Sequence, residues 1–233
     1  MCGRYTLAGP NPGELRSRFA LGESLEVRQR FNVCPGDDVV AVTTDRQGAP
    51  RGELLRWGLV PHWAKDPSVG YKTINARAET LTERPAYRDA LATHRCLVVA
   101  DGFYEWQKPI PTRPRKQPFW ITRSDGEPFA FAGLWAVWRG PDDELLRSCT
   151  VVTTEANRAL TDIHPRMPVI LEPGSEEAWI DHATPRPAAL ELLRPLSDEA
   201  VARREVGFAV NDAHHDAPDC LDPPADPAEM ALF

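Results

Sequence analysis

Proline punctuates this sequence, with 23 among 233 residues. The pyrrolidine ring removes a backbone donor and fixes φ, so proline is excluded from helix interiors and central strands. A chain interrupted this often must fold into many short elements joined by turns. Between the turn residues lie apolar, β-branched or aromatic runs that predict strands at 38–44, 53–59, 95–100, 118–122, 128–138 and 145–154. Asn11 followed by Pro12 reads as an N-cap and first helical residue, with Leu15 and Phe19 on one face as a lid for a sheet. Further short helices are expected at 85–92, 155–160, 175–182 and 187–193. The fold class that follows is α+β, with curved antiparallel sheets and brief helices.

Composition supports one ordinary folded unit, with 42% hydrophobic and 26% charged residues. We place a single domain at 2–210. Residues 211–233 carry six Asp/Glu and no Lys/Arg, are rich in proline and lack periodicity, which predicts an extended or mobile acidic tail. The formal charge of −7 is partly a property of that tail, because residues 71–120 hold nine Lys/Arg against five Asp/Glu. A nucleic-acid partner is therefore not excluded by the average. No secretory leader or apolar span is evident, so a cytoplasmic protein without a membrane partner is expected. The five cysteines, at 2, 34, 96, 149 and 220, include no C-x-x-C pair, so neither a disulfide framework nor a zinc site is implied. His214, His215 and Asp216 with Cys220 look like a metal cluster, but their spacing is poor; we assign no metal and no cofactor.

Cys2 stands apart. Aminopeptidases remove an initiator methionine before a small side chain, and the mature chain would then begin with cysteine. Its α-amine, of pKa about 7.7–8.0, would adjoin a thiol of about 8.5, so both nucleophiles are usable near neutral pH. Such a residue can trap an aldehyde as an imine that the thiol closes to a thiazolidine, or attack an acyl group with the amine as base. Position alone leaves both open. Asn75 and Arg77 lie two apart in Thr73-Ile-Asn-Ala-Arg-Ala-Glu79, on one side of an extended segment, a pair that can orient an anion. Glu105 sits among aromatics in Asp101-Gly-Phe-Tyr-Glu-Trp106, where burial would favour its protonated form, as a general acid requires. His164 and Arg166 share the proline-held loop His164-Pro-Arg-Met-Pro168, suited to proton transfer beside a phosphate.

Met1-Cys-Gly-Arg-Tyr5, Trp57-Gly-Leu-Val-Pro61, Ile74-Asn-Ala-Arg-Ala-Glu79, Asp101-Gly-Phe-Tyr-Glu-Trp106 and His164-Pro-Arg-Met-Pro-Val-Ile170 together resemble the signature blocks of the SRAP family, the abasic-site processing proteins once named SOS-response-associated peptidases. The resemblance spans about residues 2–210. It implies a β-rich fold with a barrel-like core around a DNA channel, and covalent capture of abasic sites in single-stranded DNA, with lyase-type imine chemistry and crosslink reversal. By matching motif position, Cys2 would form the crosslink, Asn75 would hold the opened sugar and the amine, Glu105 would assist ring opening and reversal, and His164 would transfer protons. Arg4, Arg77 and Arg166 would contact phosphates, and Trp106 or Trp63 would stack on bases, each worth roughly 1–3 kcal/mol. A monomer is expected. The peptidase name is read as covering only self-removal of Met1. Cys34 departs from the pattern, since a small unreactive residue is expected there; it reads as a buried thiol or an extra redox-sensitive one. An amino-terminal-nucleophile amidohydrolase would share the Met-Cys-Gly start but not the other blocks.

Overall fold

The computed structural model describes residues 2–9, 11–45 and 47–225. In chain order the elements are β1 (Tyr5–Leu7), α1 (Pro12–Phe19), β2 (Arg30–Val33), β3 (Asp38–Thr44), β4 (Pro50–Trp57), β5 (Asn75–Arg77), α2 (Pro85–Thr93), β6 (Arg95–Ala100), β7 (Gly102–Gln107), β8 (Gln117–Arg123), β9 (Phe129–Arg139), β10 (Leu145–Glu155), β11 (Arg166–Pro168), α3 (Ser175–Ile180), α4 (Arg186–Glu191) and β12 (Val201–Glu205). Brief 3-10 turns link them. The α+β class expected from the proline spacing is the one observed.

Strand β10 organises the larger sheet. On one edge it pairs antiparallel with β9 through Leu145–Val151 and then with β11 through Thr153–Glu155. On the other edge it pairs with β4 at Ser148 and Cys149 and with β5 through Val151–Thr153. The order β10, β4, β3, β6, β9 returns to β10, which closes a five-stranded barrel. A second sheet, ordered β12, β8, β7, β1, β2, packs against it. The pairings of β4 and β5 with β10 are parallel, in a system whose other strand pairings are antiparallel as expected. Residues 58–74 leave the edge of β10 after β4 and rejoin it as β5, while the crossover that a parallel neighbour needs runs through α2 and β6–β9.

Side chains alternate across the barrel strands, as a period of two requires. Val40, Val42, Leu97, Val99, Ala130 and Ala132 turn toward the helices, where Leu15, Phe19, Leu91 and Trp179 join them. Val39, Ala41, Val98, Phe129, Phe131, Cys149 and Val151 face the second sheet and meet Cys2, Tyr5, Phe103 and Ile121. Helix α1 starts as the sequence predicts, with the Asn11 side chain accepting from the Gly13 N–H, and ends at Ala20 in the left-handed region.

Two expectations need correction. Residues 155–160 form no helix; Glu155 ends β10 opposite Arg166, and the chain turns as Leu160 and Thr161 donate back to the Asn157 carbonyl. Nor is the chain extended throughout residues 211–225. Residues 209–211 and 218–221 form 3-10 turns, and Val206, Val210 and Cys220 are buried with Tyr104 on the outer face of the second sheet. Periodicity is absent here because the segment is held by polar contacts to strands, not by a repeating apolar face. Residues 226–233 of the expected tail lie outside the described residues.

Candidate active site

The excursion 58–74 sets the position of Asn75. Gly58 takes φ 129°, and a Cβ there would stand 2.7 Å from the Gly70 carbonyl oxygen, so only glycine permits the two ends of the excursion to touch. Gly58 N–H donates to Cys149 O, Val151 N–H donates to Ile74 O, and the Trp57 indole donates to Ile74 O at 2.9 Å. The Trp57-Gly58 and Thr73–Glu79 blocks are thereby two halves of one clasp on β10. From it the Asn75 side-chain amide donates to the Cys2 carbonyl at 2.6 Å, and the Tyr87 hydroxyl donates to the Asn75 carbonyl at 3.2 Å. Asn75 Oδ1 is buried and accepts no hydrogen bond among the described residues.

Cys2 has no solvent exposure. Its thiol donates to the Arg4 carbonyl at 3.6 Å. Burial pushes the thiol far above its ordinary range, and the Glu105 carboxylate raises it further. Glu105 comes from β7, which the Tyr104 N–H bonds to Arg4 O and thus aligns with the amino-terminal segment. Glu105 as a residue is 4% exposed, and its Oε1 lies 3.8 Å from His164 Nδ1. His164 follows the turn that replaces the expected helix, with its Nδ1 3.0 Å from the Arg166 N–H. Four segments thus bring a thiol, an amide, a carboxyl and an imidazole together. That set can deliver and remove protons around an electrophile attacked by sulfur or nitrogen.

The expected DNA-contacting residues divide. Arg4 and Trp106 line a cleft of about 560 Å³ with Arg115, Lys116, Phe208 and Asn211. Arg77 is exposed on β5 beside Asn75. Arg166 makes a bidentate ion pair with Glu79 at 2.6 and 2.9 Å and donates to Thr153 O, which holds Glu79 below the usual carboxylate range. Trp63, 53% exposed, lines a different cavity with Pro85, His94 and Trp135. Cys34 is buried and its thiol donates to the Asn32 and Ala213 carbonyls, both at 3.4 Å. In the superficial metal cluster, His215, Asp219 and Cys220 do converge within 4.8 Å, with His215 Nε2 2.6 Å from Asp219, while Asp216 is committed elsewhere. The motif blocks missed Asn32 and Asn211, which contact Arg4 and Trp106. The available signal for Asn32 was a polar residue between Phe31 and Val33 in a strand run.

A closed barrel faced by a second sheet is an architecture shared with solved structures. A protein from Bacteroides thetaiotaomicron has the same fold at TM-score 0.84 and 21% identity, covering 96% of this chain and all of the other. A phage-related protein from Bordetella bronchiseptica is 32% identical at TM-score 0.68, with 88% and 94% covered. The chain belongs to the SRAP family, whose profile, described as SOS response associated peptidase, matches residues 1–213. Among its relatives, the Bacillus subtilis protein named abasic site processing protein YoqW is 38% identical over 226 residues, 95% of this chain and 99% of that one. The Xenopus tropicalis protein named abasic site processing protein HMCES is 34% identical over 192 residues, 72% of this chain and 56% of that one.

Proposed function

We propose that this chain processes abasic sites in single-stranded DNA by capturing them covalently on Cys2 once Met1 has been removed. The observation that carries the reading is the convergence of Cys2, Asn75, Glu105 and His164 from four separate segments into one buried site. The names of YoqW and HMCES support the substrate class.

An abasic deoxyribose is mostly a closed hemiacetal. Opening it requires a proton to leave the C1 hydroxyl and one to reach the ring oxygen, and the adjacent Glu105 and His164 are suited to that exchange. The freed α-amine of Cys2 then attacks the aldehyde, and loss of water gives an imine. Addition of the thiol across that bond forms C–S, with the thiol proton passing to nitrogen. Asn75 holds the Cys2 carbonyl through its amide N–H, which leaves Oδ1 to accept from the amine. Closure to the thiazolidine removes the electron sink that would otherwise promote β-elimination, so the strand stays whole.

The test is the intact mass of the purified chain before and after mixing with an abasic single-stranded oligonucleotide. Loss of Met1 and a gain of the oligonucleotide mass less one water are expected. Cys2→Ala should lose the stable adduct while keeping some imine-dependent strand cleavage; a borohydride-independent adduct in that variant overturns the reading.

A further inference from the structure

The segment 206–221 covers the outer face of the second sheet and reaches the cleft that contains Arg4 and Trp106. Both Nη1 protons of Arg4 are taken, one by Asn32 Oδ1 at 3.0 Å and one by Val210 O at 2.6 Å. The remaining three guanidinium donors have no protein acceptor among the described residues. Asn32 is itself 1% exposed, and its amide donates to Asp212 O at 2.9 Å and His215 O at 2.7 Å. Asp216 fixes the same strand by accepting from the Phe31 and Asn32 N–H groups at 2.6 and 2.8 Å. The Trp106 indole donates to Asn211 Oδ1 at 2.8 Å. Phe208, on the same segment and 45% exposed, lines that cleft beside Arg115 and Lys116.

An exposed phenyl ring among three cations is poorly explained by packing. It matches the single-strand pattern in which cations follow the phosphates and a flat ring takes a base. We propose that segment 206–221 is a wall of the nucleic-acid cleft, in which Asn32 and Asn211 are positioning residues for Arg4 and Trp106 and Phe208 is a shelf for a base flanking the lesion. This rests on the reading of the chain as a binder of single-stranded DNA.

The experiment is equilibrium binding of an undamaged single-stranded oligonucleotide by the full chain across a salt series. Each phosphate contact contributes about 0.7 to the slope of log K against log salt on single strands. Asn32→Ala should lower that slope by about 0.7, as Arg4→Ala does, and the double variant should lower it no further. Phe208→Ala should weaken binding about 5-fold or more with the slope unchanged. Asn211→Ala, at an exposed position that folding tolerates, should weaken binding about 3-fold, and should add nothing in a Trp106→Ala background, by the logic of shared partners. Asn32 and Arg4 effects that add, an unchanged slope in Asn32→Ala, or wild-type affinity in Phe208→Ala overturns the inference. If Asn32→Ala does not fold, the Asn211 and Phe208 variants decide it. A wild-type chain that binds no single strand overturns the DNA reading and the inference with it.

Discussion

On β7, Phe103 and Glu105 turn inward while Tyr104 and Trp106 turn outward, and the two faces differ in what closes over them. The inward face is shut by the barrel, with Phe103 packed edge to face on Phe131 at 6.2 Å between ring centres. The outward face is shut by residues near the end of the chain, through a small apolar cluster of Tyr104, Val206, Val210 and Cys220. Around that cluster the contacts are polar: the Tyr104 hydroxyl donates to Phe31 O at 2.8 Å, and Asp216 gathers Arg30 and two backbone N–H groups. Apolar burial excludes water without fixing direction, whereas hydrogen bonds aim groups, and those to Asp216 depend on its ionisation. The inner face thus suits buried proton chemistry, and the outer one holds a wall in place.

The largest separation of the two faces should come from Glu105→Gln. Single-turnover capture of an abasic oligonucleotide should slow about 100-fold, the usual scale for a lost general acid, with release slowed too. Unchanged rates would remove Glu105 from the chemistry. Next is Asp216, whose ionised form is opposed by burial but favoured by hydrogen bonds from Arg30, Phe31 and Asn32, so that its folded pKa is lowered. A lowered pKa contributes stability above the unfolded value of about 3.9, lost as pH falls through the folded value. Asp216→Asn should therefore destabilise the chain at pH 7 and flatten the acid limb below about pH 4 in urea titrations. An acid limb identical to wild type would show that Asp216 ionisation does not secure the outer face. Tyr104→Phe should cost about 1 kcal/mol, since the hydroxyl's hydrogen bond is lost without a cavity, and leave capture rates unaltered. Trp63→Ala, remote from both faces and exposed, should change stability by less than about 0.5 kcal/mol. A large loss of DNA affinity in that variant would extend the nucleic-acid surface to the cavity by Pro85 and Trp135.

What could be read from the sequence follows the same division. β3 and β6 were legible to the residue because their apolar, β-branched runs are bounded by turn residues. β11, three residues long, was not, and β5 was read only as part of the extended segment 73–79, since the pairing of both strands comes from lying against β10. The helix expected at 155–160 failed because the Thr153–Glu155 ladder and the returns to Asn157 O outcompete a weak local preference. Cys2, Asn75, Glu105 and His164 were each named from motif position, and the structure brings all four together. Arg166 was named beside them as a phosphate contact, yet its ion pair with Glu79 became visible only once β11 was placed near β5. Asn32 and Asn211 were not legible because their partners lie 28 and 105 residues away and are reached through the fold alone.

Four strands share the two edges of β10, and two of them reach the candidate site, β5 by carrying Asn75 and β11 by following the His164 turn. The amide protons of residues 149–153 should then exchange with solvent only through the largest opening of the molecule. Breathing that separates Asn75 from His164 would have to tear the barrel seam as well. The site and the barrel therefore keep one clock.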